Sequence, residues 1–188
     1  MEKKELELYI HIPFCVRKCN YCDFLSFPAD EDTQRQYVKA LCKEIFYYGA
    51  HCRDYVVSTV YIGGGTPSWL WESDMAEIMD AVHKNFALLP DAEVSVECNP
   101  GTVTAQKFAV YRQSGINRIS LGLQSAQNVE LKMLGRIHTW EQFLKTYELA
   151  RAGGFSNINV DLMSSLPGQH TATSVSYTHL TLPTTPYV

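Results

Sequence analysis

The sequence has no apolar run approaching ~20 residues, the length a membrane-crossing helix needs, so no transmembrane segment is expected. Its first residues, MEKKELELYI, lack a long apolar core and a small-residue cleavage site, so no secretory signal is visible. A net charge of −4 supplies no basic excess and removes the electrostatic case for nucleic acid. There is no internal repeat and no linker-like composition before residue 170. What remains is ordinary for one globular domain: 188 residues, 46% of them apolar. Six cysteines without an export signal point to a reducing compartment, the cytosol, where clustered thiols bind metal more often than they form disulfides.

Cys15, Cys19 and Cys22 stand together in a C-x3-C-x2-C array. They follow an alternating strand, Leu6 to Ile12, that Pro13 ends. Three thiolates on a loop leaving a strand are poor material for a core and good ligands for soft metal. On spacing alone two sites compete. One is a [4Fe-4S] cluster whose fourth iron lacks a protein ligand and is open to a small molecule. The other is a zinc site completed by His11 or Cys98. The spacing favours the cluster. Cys42 and Cys52, on or near the first helix, read as packing residues. Cys98 lies at a strand end and has no assigned role.

The rest of the chain alternates strands and helices. Strands are expected at about 6–12, 59–62, 93–98, 117–124 and 156–163. Helices are expected at about 32–49 and 73–86, then from a Thr104 N-cap to near Gly115, then from a Thr139/Gln142 capping box through Arg151. That order predicts an α/β fold of parallel βα units, either a barrel or an open sheet. Parity divides each strand. Leu6, Leu8, Ile10 and Ile12 oppose Tyr9 and His11; Val94 and Val96 oppose Ser95 and Glu97. Leu121 and Leu123 oppose Ser120, Gly122 and Gln124, and Ile158, Val160 and Leu162 oppose Asn157, Asn159 and Asp161.

Ligands of parallel α/β folds bind at C-terminal strand ends. The cysteine loop, the glycine run Gly63-Gly64-Gly65-Thr66, Glu97, Gln124 and Asp161 are all expected at that mouth. The glycine run lacks the Gly-Lys-Ser/Thr of a P-loop, so it reads either as a tight turn or as backbone approaching a ligand. Three polar residues on one parity beside a metal loop suit a polar cofactor. Arg136, just before the last capped helix, is either a carboxylate partner or a solvated charge. The Thr/Pro-rich stretch 171–188 falls where the βα rhythm calls for a helix, and is expected to be an unrelated or artefactual end to a core spanning 1–170.

In order, YIHIPFCVRKCNYC, GGGTPS, VECNP, INRISLGLQS and NVDLMSSLPGQ resemble the radical S-adenosylmethionine proteins. More narrowly they resemble the oxygen-independent coproporphyrinogen III dehydrogenases and their heme-chaperone relatives. The resemblance implies a (β/α)6 partial TIM-type barrel, cut here after about five βα units. It implies that Cys15, Cys19 and Cys22 hold a [4Fe-4S] cluster and that S-adenosylmethionine chelates the open iron. Tyr9, Tyr21, Gly64, Gly65, Thr66, Glu97, Gln124, Arg136 and Asp161 would contact that cofactor. The implied reaction is reductive cleavage to methionine and a 5′-deoxyadenosyl radical. The decarboxylating members carry a further cysteine two positions after the third ligand; here Phe24 stands there, as in the heme-chaperone branch. That branch implies heme, and a heme-accepting respiratory protein, as partners, with heme contacts in a C-terminal region beyond this chain. The alternatives are a coproporphyrinogen III dehydrogenase that converts propionates to vinyls, and a zinc-stabilised α/β binding domain.

Overall fold

The computed structural model describes residues 3–170. Five strands form one parallel sheet in sequential order: β1 (Lys4–Ile12), β2 (Tyr55–Gly64), β3 (Leu88–Cys98), β4 (Arg118–Gln124) and β5 (Asn157–Leu162). Helices α1 (Glu31–His51), α2 (Glu72–Asn85), α3 (Ala105–Gln113) and α5 (Trp140–Ala152) connect them, with a 3₁₀ turn at Pro67–Trp69 and a short α4 at Asn128–Met133. This is the α/β order of parallel βα units that the alternation of elements predicts, in the strand order expected of the partial barrel that the resemblance implies.

Strand parity decides which face packs. Ile10, Ile12, Val60, Ile62, Val94, Val96, Ile119 and Leu121 are buried in one continuous core with Val38 and Ile45 of α1, Ile78 and Val82 of α2, and Phe108 of α3. Burying a side chain of that size stabilises by roughly 1.5–3 kcal/mol, so a one-residue register slip would forfeit the face as a whole. The other parity carries Tyr9, His11, Tyr61, Glu97, Ser120 and Asp161, and forms the concave side.

The helix ends follow their sequence signals. Thr104 accepts from the Lys107 amide, and Thr139 and Gln142 form the reciprocal capping box. Gly115 sits at φ 87°, a left-handed turn that a glycine makes without steric cost. Three strands are longer than expected, β1 at its start, β2 at both ends and β3 at its start. β3 starts at Leu88 because the Val57 amide bonds the Ala87 carbonyl and Val57 pairs with Leu88, which carries Pro90 and Asp91 into the strand despite their turn character. The six residues of α4 show no helical period that a sequence reading could find. The stretch 171–188, expected to be unrelated to the core, lies outside the described residues.

Candidate functional site

The cysteine loop leaves β1 and returns along it. Phe14 bridges Phe27, the Cys15 amide donates to the Phe27 carbonyl (3.1 Å), and the Phe27 amide donates to the Pro13 carbonyl (2.9 Å). A second strap comes from the chain just after α4. The Asn20 amide donates to the Leu134 carbonyl (3.0 Å), the Asn20 side-chain amide to the Met133 carbonyl (2.9 Å), and Arg17 Nη2 to the Gly135 carbonyl (2.7 Å). The three thiol-bearing residues are therefore held between the first strand and the fourth βα unit.

The glycine loop after β2 is laced to the same strand end. Gly65 and Thr66 donate backbone amides to the Ile12 and Phe14 carbonyls at 2.8 and 2.7 Å. The approach is too close for a side chain: a Cβ on Gly65 would lie 2.7 Å from the Phe14 carbonyl oxygen and 3.0 Å from Cys15 Sγ. Thr66 Oγ1 reaches Cys15 Sγ at 3.6 Å. Gly64 adopts φ 117°, and a Cβ there would meet the His11 ring at 2.5 Å.

Glu97, at the end of β3, accepts from Tyr61 Oη at 2.8 Å and from the Gly64 amide at 3.0 Å, so it orients the glycine loop. Burial raises its pKa above the usual carboxylate range, against the lowering effect of those two hydrogen bonds. Beyond it, Ser68 Oγ accepts from the Asn99 amide (3.0 Å) and pairs with Thr102 Oγ1 (2.6 Å). The buried Lys107 ammonium donates to the Ser68 and Thr102 carbonyls at 2.8 and 3.1 Å. This cation, with no carboxylate in hydrogen-bond contact among the described residues, ties the loop after β2 to the loop after β3.

Arg136 completes the ring of loops. Its Nη1 contacts Cys19 Sγ (3.6 Å) and Tyr21 Oη (3.3 Å); its Nη2 donates to the Gly122 carbonyl (2.6 Å) and to Asn99 Oδ1. Burial pushes the Tyr21 phenol up to about 12, with Arg136 opposing the shift. Gln124 sits at φ 73° where the β4–β5 register shifts, and its carbonyl accepts from the Met163 amide (2.9 Å). Asp161 accepts from Ser120 Oγ (3.2 Å) and Asn159 Nδ2 (2.7 Å).

These loops enclose a cavity of about 470 Å³, within the range of small-molecule sites. Every expected site residue lines it except Tyr9: the three cysteines, Tyr21, Gly64, Gly65, Thr66, Glu97, Gln124, Arg136 and Asp161. Tyr9 is on the anticipated face, in register with Tyr61, which lines the cavity. It lies parallel to Tyr61 and bonds His11 Nδ1 (2.9 Å), which puts the His11 ring between it and Gly64. Sequence reasoning missed Tyr61 and Asn99. Tyr61 was open to the parity argument, since it pairs with Ser95 on the Glu97 face; Asn99 had no signal but its place in the turn.

The cavity suits a cluster better than a single ion. Among the described residues no three His, Cys, Asp or Glu side chains converge on one ion position. His11 is engaged at both ring nitrogens, by Tyr9 Oη and by the Leu25 carbonyl (3.0 Å). Burial pushes the Cys98 thiol up to about 12, which opposes the thiolate that zinc requires. Cys15, Cys19 and Cys22 all line one cavity of about 470 Å³, a donor set of thiols that fits a multi-iron cluster with a small molecule beside it.

Comparison with known proteins fits this arrangement. The model of the Radical SAM superfamily matches residues 9–173. The chain belongs to the radical SAM superfamily. This core is 43% identical over 165 residues to the heme chaperone HemW of Escherichia coli (strain K12), covering 87% of this chain and 44% of that protein. It is 37% identical over 164 residues to the heme chaperone HemW of Bacillus subtilis (strain 168), covering 86% of this chain and 43% of that one. The chain thus spans less than half the length of these relatives. The solved structure of the coproporphyrinogen III oxidase HemN from Escherichia coli, a radical SAM enzyme, superposes with a TM-score of 0.88 at 28% identity, covering 98% of this chain and 42% of that one. The radical SAM core is accordingly of the HemN/HemW-like kind. Among the described residues no helix is long and apolar enough to cross a membrane.

Proposed function

We propose that this chain is the cofactor-binding core of a cytosolic HemW-like heme chaperone, with Cys15, Cys19 and Cys22 as ligands of a [4Fe-4S] cluster and S-adenosylmethionine above it. One observation carries the reading: three clustered thiols on the loop after β1 share a single cavity with polar groups from the ends of the other four strands. When bound, the cluster supplies an electron for reductive cleavage of the S-adenosylmethionine sulfonium. The protein's own work is to orient. Glu97 and Asp161 would offer carboxylate oxygens to the amino and hydroxyl donors of the cofactor, and the backbone at Gly64, Gly65 and Thr66 would border it. Gln124 and Tyr21 line the same cavity and would close its remaining sides.

Phe24 favours heme delivery over porphyrinogen decarboxylation. It lines the cavity and is 71% exposed, so an apolar ring stands where the decarboxylating enzymes are expected to place a thiol. The second reading, a coproporphyrinogen III dehydrogenase, draws on the HemN likeness. Anaerobic reconstitution with iron and sulfide tests the shared part: about four iron atoms per chain and a charge-transfer absorbance are expected, both lost in Cys19→Ser. A chain that takes up one zinc and no sulfide would overturn it. In the whole protein, heme binding measured beside coproporphyrinogen III turnover separates the two readings; turnover without heme binding reverses the order.

A further inference from the structure

Arg136 is committed to the protein in an unusual way. Both its terminal nitrogens are bonded to protein partners, and the buried Nε has no partner among the described residues. The guanidinium bridges three segments that sequence keeps far apart: Cys19 in the cysteine loop, Asn99 after β3 and the Gly122 carbonyl in β4. The carbonyl of its neighbour Gly135 accepts from Arg17, and that of Leu134 from Asn20. A permanent cation is thus clamped against one thiol of the array. Among the described residues, Cys15 Sγ receives the neutral Thr66 hydroxyl at 3.6 Å.

We infer that Arg136 is a positioning residue that donates to the Cys19 thiolate and raises the reduction potential of the cluster that this sulfur helps to hold. The inference rests on the cluster reading above. A hydrogen bond to a ligand sulfur, and a positive charge beside it, stabilise the reduced and more negative cluster more than the oxidised one. The clamp fixes the guanidinium before any cofactor arrives, so the effect belongs to the cluster-loaded protein without S-adenosylmethionine. The asymmetry also distinguishes the sulfurs: Cys19 faces a cation, and Cys15 a hydroxyl.

The test is a redox titration of the reconstituted cluster, followed by electron paramagnetic resonance with S-adenosylmethionine omitted. Arg136→Gln is expected to lower the one-electron equilibrium constant for reduction about tenfold, a downward shift of ~59 mV. Arg136→Lys, which keeps the charge but not the fork, falls between it and the parent. Asn99→Ala removes one anchor of the guanidinium and shifts the midpoint the same way by less. Lys84→Gln, an exposed charge paired with Asp80 on α2, leaves the midpoint unchanged. If Arg136→Gln takes up no cluster, the Lys and Asn99 variants carry the test. Midpoints equal to the parent's in every variant that loads would overturn the inference while leaving the cluster assignment standing. Failure of the parent itself to load a cluster would sink the underlying reading instead.

Discussion

Replacing Gly65 by alanine is the sharpest probe of the strand end that carries both loops. The glycine is not in the left-handed region, so alanine itself meets no backbone strain there, and fewer unfolded states would by themselves stabilise by about 0.4–1 kcal/mol. The new methyl, however, would lie 2.7 Å from the Phe14 carbonyl oxygen and 3.0 Å from Cys15 Sγ. Neither neighbour yields freely: the Phe14 carbonyl accepts the Thr66 amide, and the Cys15 backbone is pinned to Phe27. Overpacking of this kind costs about 1–3 kcal/mol, so the net effect is a loss of about 1–2 kcal/mol with Cys15 displaced. Gly101→Ala is the control. Its site is open, with nothing within 4 Å, but φ is 85°, so it pays a left-handed penalty of about 1–2 kcal/mol and leaves the cysteines alone. Urea denaturation of both variants should therefore show similar losses, while iron content after anaerobic reconstitution falls only in Gly65→Ala. Equal iron uptake in the two would refute the claim that the glycine loop sets the position of Cys15.

Other expectations follow from buried ionisable groups. His138 is buried, and burial together with the Arg136 guanidinium pushes its imidazole down to about 4 from 6.5. A depressed histidine contributes stability that is complete above pH 6.5 and lost as pH falls toward 4; the loss is about 2 kcal/mol at pH 5 and about 3 kcal/mol at full protonation. His138→Gln should flatten urea midpoints between pH 7 and 5, and an unchanged slope would contradict the assignment. Burial raises the Glu97 pKa, so the opposite sign holds there: stability falls as pH rises from the ordinary carboxylate range through the raised value, and Glu97→Gln removes that component. Lys107→Met leaves the Ser68 and Thr102 carbonyls without their donor and should cost about 1–3 kcal/mol by denaturant titration, whereas a neutral result would deny the cation its role in tying the two loops.

The sequence was informative wherever the physics is local. Alternation of Leu6, Leu8, Ile10 and Ile12 with Tyr9 and His11 told which face of β1 is buried, because side-chain direction follows from the two-residue pleat alone. The Thr104 and Thr139 caps were legible because a side-chain oxygen reaches an amide three residues on. The convergence of Glu97, Gln124 and Asp161 followed from parallel topology. What stayed hidden depends on contacts between distant segments. Nothing in the order of residues joins Arg136 to Asn99 or Asn20 to Leu134, and the short α4 that presents those carbonyls has too few turns to leave a period.

The hydrogen-bond inventory separates residues that can serve a ligand from residues that are already spent. A carboxylate offers about four lone-pair directions, and Glu97 and Asp161 each use two of them on protein donors, one per oxygen. Each can accept from an incoming ammonium or hydroxyl while keeping the bonds that hold it in place. Arg136 is more committed: its terminal nitrogens are occupied, so a carboxylate would bind through the unpartnered Nε or by exchange with Cys19, Tyr21, Asn99 or the Gly122 carbonyl. All three charged residues line the cavity, so the expectation that each contacts the cofactor stands beside the inference that Arg136 also tunes the metal. The acids would accept from a ligand without giving up a bond, whereas the arginine would reach one while bonded to the cysteine loop, which couples cofactor binding to the Cys19 sulfur.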